Sequence, residues 1–433
     1  MAAEVNISDR EGGTLRTDRA DSEAAKRHRV TKLMFFAVWG PGLIVMLADT
    51  DIGSLVTAAQ SGAKLGYKMI LPNLILIPVL YVVQEMTARL GILTGKGHGA
   101  LIREHFGKKW GLLSAVTLFA SSIGALLTEF AGVAGVGELF GLPPGLTVPV
   151  AAAFLIGVAF TGSYRRVERI GVALGLAELV FIPAVFLAHP NVHRVLTSFG
   201  QVPLHDHSYT VLLAANVGAV IMPWMVFYQQ GAVIDKKLTP SNLRSEKRDT
   251  LFGSFLTQLI AVGVVIVFAA TVWAHHSGGA SLSTVESMAR GLQPYLGNMA
   301  AKVIIAAALT GAALVAALVA SLAGTWGLSE VLGWRHSLNE KLSHKNAKFY
   351  AAYAMVHVIG ALIVLANVDL VNLVIDVEVM NALLLPVVVG FLLVLEAKVL
   401  PRPYRIRGAY RFFATLLCLA VMGFALYTIP VVL

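Results

Sequence analysis

Long apolar runs follow one another along this chain, with only short polar loops between them. Eleven can be read, at 34–62, 69–93, 113–140, 146–162, 166–189, 210–234, 250–274, 299–332, 350–367, 370–396 and 412–432. A helix needs roughly 17–25 apolar residues to cross about 30 Å of hydrocarbon, and these runs meet that length. In lipid the backbone has to satisfy its polar groups within the segment, so each run is expected to be a helix. The pattern predicts an all-α integral membrane protein with about 11 transmembrane helices, its main partner surface being the lipid bilayer.

Composition sharpens that reading. The 433 residues are 57% hydrophobic and 14% charged, whereas soluble proteins carry roughly 25% charge. The net charge of +9 invites a nucleic-acid reading, but its distribution excludes one. With the N-terminus placed in the cytoplasm, 28 of the 34 Lys and Arg fall in the tail and in loops after even-numbered spans. That is the positive-inside pattern, and it sets the C-terminus outside a cell (inner or plasma) membrane. Residues 1–32 are polar, lack the apolar core of a signal peptide, and read as a disordered cytoplasmic tail. Cys418 is the single cysteine, so neither a disulfide nor a thiolate metal site forms within one chain.

Two spans are interrupted. The first reads GPGLIVMLADTDIGSLVTAAQSG, with Asp49, Asp51 and Gly53 inside it; the sixth reads ANVGAVIMPWMVFYQQGAV, with Gly218 and Pro223 inside. Glycine and proline both weaken a helix interior. The two spans lie five apart, so spans 1–5 (33–189) and 6–10 (210–396) would run in opposite senses, with 397–433 forming a basic loop and helix 11. Paired broken helices in inverted repeats meet near the midplane and line a transport site. An Asp at a helix centre costs roughly 2.5–3.5 kcal/mol to insert, so Asp49 and Asp51 need a cation, a partner or water. Glu85, Glu129, Glu138, Glu178, Asp376 and Glu378 are further acids in or near spans.

The segments GPGLIVMLADTDIGS, QSGAKLGY, ARLGILTGKGHGALIREHFG, YRRVERI, AVIMP and GTWGLSE together resemble the NRAMP family of divalent-metal transporters. The resemblance implies a LeuT-like fold with broken helices 1 and 6. It also implies metal ligands at Asp51 and Met222, which match the family pattern. Other positions depart from it. The family's asparagine in the first break is Ser54, its histidine after the sixth-span proline is Trp224, and a second histidine is Gln229. In span three the family's Asp and Glu become Glu129 and Gly132. The lost groups are those to which the resemblance assigns proton movement, since a relay needs side chains that change charge. The departures resemble the NRAMP-related magnesium-transporter branch.

The expected substrate is a divalent ion at Asp51, Asp49, Ser54, Met222, Glu378 and backbone carbonyls such as that of Ala219, with Trp224, Gln229 and Glu129 along its pathway. Mg²⁺ is hard, prefers oxygen and keeps waters, which suits the carboxylates; the thioether of Met222 favours Mn²⁺ or another softer ion. The reading is Mg²⁺ uptake by alternating access without proton coupling, with a Mn²⁺ or transition-metal importer as the alternative. No separate cofactor and no obligate protein partner are expected. An amino-acid carrier on the same fold is a further alternative, weakened because two aspartates would repel a substrate carboxylate. An enzyme is not expected: HExxH is absent, and Asp49 and Asp51 share one span.

Overall fold

The structure is a computed structural model that describes residues 40–275, 282, 284–366 and 370–432. The expected tail at 1–32, the start of the first span and most of 276–283 lie outside the described residues. Among those described there is no strand. The helices are α1 (Pro41–Asp49), α2 (Ile52–Leu65), α3 (Ile70–Thr94), α4 (His98–Phe106), α5 (Lys108–Leu139), α6 (Pro144–Ala159), α7 (Tyr164–Gly175), α8 (Phe181–Leu187) and α9 (Val192–Ser198). They continue with α10 (His207–Val220), α11 (Pro223–Asp235), α12 (Leu243–Thr271), α13 (Val285–Leu296), α14 (Asn298–Leu332), α15 (Ala347–Val364), α16 (Leu370–Val399) and α17 (Gly408–Val432).

Each predicted span has a helix or helix pair in this order. Nine helical stretches among the described residues are long and apolar enough to cross a membrane, counting as one the two helices that meet at Ile221 and Met222 and helices that run on into one another. Pro144–Ala159 is a shorter apolar helix. The fifth span departs from expectation. It is interrupted by a 3₁₀ stretch, Leu176–Val180, between α7 and α8, where Gly175 packs on Leu47 and leaves no room for a side chain.

Small residues set how closely the helices approach. The most extensive helix–helix contact joins α14 to α5, and a side chain on Gly324 of α14 would press on Ser122 of α5 at 3.0 Å. Close backbone approach of this kind holds helices together where lipid removes the hydrophobic drive. α3 and α14 end at Gly95 (φ 64°) and Gly333 (φ 73°), left-handed positions that stop the helices and turn the chain into basic loops. Large apolar side chains point outward on the periphery, among them Val150, Met355, Leu362 and Phe412. A soluble protein would bury such a surface; here it fits acyl chains. The first and sixth spans lie inside this shell, almost wholly buried.

Candidate metal site

The first break is built by local capping. α1 stops at Asp49, Thr50 leaves helical geometry (ψ 45°), and Asp51 is extended (φ −70°, ψ −179°). Asp51 then caps α2, its Oδ1 accepting the Ser54 N–H at 2.7 Å. An aspartate at this position satisfies one of the amides a helix start leaves unpaired. The other oxygen, Oδ2, is buried and accepts no hydrogen bond from the described residues. The residue thus spends one oxygen on folding and keeps one for a ligand.

The second break follows from Pro223. α10 ends at Val220, Ile221 and Met222 are non-helical, and Pro223 opens α11. Proline fits the first helical position, where its missing N–H is not needed. The break frees carbonyls at the end of α10, and that of Ala219 faces the first span. The Ser54 hydroxyl lies 3.0 Å from it and 2.5 Å from the Asp49 carbonyl, so its one proton is shared between the two broken helices.

α16 supplies Glu378, fully buried. Asn381 Nδ2 donates to its Oε2 at 3.1 Å, while Oε1 accepts no hydrogen bond from the described residues. Two glycines make the space: a Cβ on Gly53 would strike the Glu378 carboxylate, and one on Gly218 would strike its backbone carbonyl. The same Cβ on Gly53 would also meet Asp51 Oδ1 at 3.0 Å, so Asp51 and Glu378 converge over Gly53. Asp49 accepts the Thr257 O–H at 3.2 Å on Oδ2, and its Oδ1 is buried without a hydrogen-bond partner among the described residues. It lies near enough to Asp51 and Glu378 for their charges to interact.

Asp49 Oδ1, Asp51 Oδ2 and Glu378 Oε1 are therefore three buried oxygens with unused lone pairs. Carboxylates deprived of both water and partners are costly to hold as ions. A cation or protons would relieve that cost, and the donor chemistry of carboxylates, a hydroxyl and carbonyls is that of a hard-ion site. Asp49, Asp51, Ser54 and Glu378 are each at most 7% exposed, so the site is closed to both faces.

The remaining predicted residues divide. Met222 is fully buried at the second break. Trp224 is also fully buried, one residue into α11 beyond Pro223, and its indole N–H has no acceptor among the described residues. Glu129 on α5 accepts the Ile52 N–H at 3.3 Å and the Thr128 O–H at 3.2 Å. It sits at the start of α2, beside Asp51, where the helix dipole favours negative charge. Gln229 does not join the breaks: its Nε2 donates to Thr250 Oγ1 at 3.0 Å and Glu246 Oε1 at 3.3 Å on α12. Of the other acids, Glu178 is fully buried, whereas Glu138 and Asp376 are exposed. Glu85 pairs with Arg89 and Lys247 away from the breaks.

Sequence reasoning missed Thr257, Asn381, Glu246 and Asp249. Asp249 Oδ2 accepts the Gly40 and Leu43 amides at 3.2 and 3.0 Å, closing the start of α1 against α12. The sequence RSEKRDTLFGSFLTQ places Glu246 and Asp249 three apart, with Thr250 and Thr257 one turn and then two further on. This polar stripe on an apolar helix is visible before folding. Its partner, the unpaired start of α1, is not.

Two helices broken against each other around buried carboxylates, inside a shell of apolar helices, are the arrangement found at the substrate sites of inverted-repeat membrane transporters. Residues 42–430 match the family described as natural resistance-associated macrophage protein-like, and the chain belongs to that Nramp family. This makes it a divalent-metal transporter and not an enzyme. It is 27% identical over 313 residues, 69% of each chain, to the divalent metal cation transporter MntH of Verminephrobacter eiseniae. Its fold matches a manganese transporter of Eremococcus coleocola with a TM-score of 0.72 at 20% identity, covering 91% of this chain and 86% of that one. It also matches the nucleobase-cation-symport-1 family transporter Mhp1, with a TM-score of 0.59 at 12% identity and 91% of each chain covered. The LeuT-like expectation therefore holds.

Proposed function

We propose that the chain takes up Mg²⁺ by alternating access, without moving protons, through a site formed by Asp51, Asp49, Ser54, Glu378 and the Ala219 carbonyl. One observation carries the reading: among the described residues, Asp49, Asp51 and Glu378 each keep a buried carboxylate oxygen that accepts no hydrogen bond. Oxygen donors on three elements suit an ion that keeps part of its hydration shell. Spans 1–5 and 6–10 form inverted repeats, and one helix bundle rocks against a scaffold while the ion sits at the breaks of spans 1 and 6. The N-terminus lies in the cytoplasm and the C-terminus outside, in the cell membrane.

Absence of proton coupling is argued from Trp224 and Gln229, neither of which can change charge in the physiological range. Energetics permit it. A divalent ion gains about 4.6 kcal/mol in a 100 mV field, which sustains a gradient of roughly 2,000-fold. That suffices for an abundant ion.

Met222 supports a second reading, Mn²⁺ import, because a thioether prefers a softer ion. The similarity to proteins named as manganese and divalent metal cation transporters points the same way. Liposomes loaded with a pH dye and offered Mg²⁺ or Mn²⁺ separate the readings. Mg²⁺ accumulation with a silent dye is expected. Metal-dependent acidification would remove the uncoupled mechanism, and uptake of Mn²⁺ alone would reassign the substrate.

A further inference from the structure

Cation transport leaves one feature of the basic face unused. A cavity of about 470 Å³ lies between the end of α3, the start of α12 and the segment 403–410. Five cations line it: Arg89, Arg244, Lys247, Arg405 and Arg407. No carboxylate does, among the described residues.

The charges are held in place without being discharged. Glu85 lies behind the wall; its Oε1 is shared by Arg89 and by Lys247 at 2.9 Å, and its Oε2 accepts the Tyr410 O–H at 3.2 Å. One carboxylate thus serves two cations. Glu396, close by, accepts the Ile406 amide at 2.6 Å. The guanidinium groups otherwise rest on neutral carbonyls. Arg89 donates to Tyr404 at 2.8 Å, Arg405 to Leu400 at 2.6 Å and to Lys398 at 3.2 Å, and Arg407 to Arg402. A carbonyl orients a guanidinium but leaves its charge intact. The Arg244 side chain has no hydrogen bond or ion pair among the described residues. Even with Glu85 and Glu396 both counted, three positive charges remain.

Arginines fixed in this way match the geometry of phosphate oxygens. The position of the cavity chooses between sources of phosphate. Tyr404 and Tyr410 line it, and α17 continues from Tyr410 into Phe412 and Phe413, 66% and 58% exposed. Tyrosines followed by an outward apolar helix mark the level where headgroups give way to acyl chains. We propose that this cavity recognises phosphate and is occupied by the headgroup of an anionic phospholipid from the leaflet at the basic face.

The site is coupled to transport through α12. That helix brings Arg244 and Lys247 to the cavity, caps α1 with Asp249 and reaches Asp49 with Thr257. An occupied cavity would hold the start of α12 in place and so favour the arrangement in which α1 is closed.

The test uses the full chain in neutral detergent, followed by native mass spectrometry and thermal unfolding. Phosphatidylglycerol, phosphatidylcholine and millimolar inorganic phosphate are added separately. Phosphatidylglycerol should stay bound and raise Tm by several degrees, while the other two do not. Arg244→Gln with Arg407→Gln should weaken phosphatidylglycerol binding roughly 30-fold, with metal uptake in phosphatidylcholine liposomes unchanged. Equal effects of the two lipids, or an unaffected double variant, would overturn the site. Inorganic phosphate matching phosphatidylglycerol would overturn the lipid assignment. Should the double variant not fold, Arg244→Gln alone gives up no side-chain hydrogen bond or ion pair among the described residues. It should lose roughly fivefold, and unchanged binding would count against the proposal.

Discussion

The Ser54 hydroxyl lies 3.0 Å from the Ala219 carbonyl, so one small side chain joins the two broken helices. The same hydroxyl lies 2.5 Å from the Asp49 carbonyl on the other side of the first break. Ser54→Ala leaves two buried carbonyls without that donor, and an unsatisfied buried group costs about 1–3 kcal/mol. We expect a Tm lowered by several degrees together with weaker metal binding. Ser54→Cys, which keeps a weak donor, should be milder in both thermal unfolding and uptake. Wild-type Tm and uptake in Ser54→Ala would show that the hydroxyl links nothing.

Gly53 and Gly218 border the same glutamate and should fail differently. A Cβ on Gly53 meets the mobile carboxylate of Glu378, whereas one on Gly218 meets its backbone carbonyl. Gly53→Ala should fold and lose metal affinity, because the carboxylate has to swing away from Asp51. Gly218→Ala should lose about 1–3 kcal/mol of stability, because two helix backbones must separate. Uptake kinetics and denaturation, measured on both variants, distinguish the effects. Equal stability losses would contradict the geometry.

Asp249 holds the start of α1 through two backbone amides. Removing such a cap costs about 0.5–2 kcal/mol. Asp249→Ala should loosen closure at the basic face. Labelling of a cysteine placed at Ser254, itself buried, should then speed up from that face. An unchanged labelling rate would mean that Asp249 does not hold the closure.

His98, on the short helix α4 outside the spans, gives a pH dependence. Gln230 Nε2 donates to the Lys96 carbonyl at 2.8 Å, so its Oε1 faces His98 Nδ1 at 3.2 Å and accepts a hydrogen bond from its N–H. His98 Nε2 is buried without a hydrogen-bond partner among the described residues. Burial pushes the imidazole down to about 4. The folded value is depressed, so the stabilisation is present above about 6.5, the unfolded value, and is lost as pH falls towards 4. Tm should drop across that window, and His98→Gln should flatten the drop. An equal slope in the variant would assign it elsewhere.

Much of this arrangement was legible in the sequence, for physical reasons that also mark the limits. Span positions follow from apolar length, and both breaks follow from Asp51 with Gly53 and from Pro223, residues that cap or start helices. Glu378 could be flagged as a buried acid, but its convergence on Asp51 depends on Gly53 and Gly218 lying against α16, which no local pattern encodes. Gln229 aligned with a family position yet faces α12, because its contacts are set by helix packing and not by its distance from Pro223. The 3₁₀ interruption at Leu176–Val180 carries no glycine or proline of its own. It was invisible for that reason.

The central claim is that Asp51 binds the transported ion with the oxygen left over from capping. Asp51→Asn tests it, because asparagine caps a helix as well as aspartate does but carries no charge. Mg²⁺ and Mn²⁺ uptake into liposomes should be compared between this variant and wild type, with Tm as the control. We expect a near-native Tm and at least roughly a hundredfold loss of uptake, the worth of about 2.7 kcal/mol. A variant that unfolds little and transports like wild type would contradict the account.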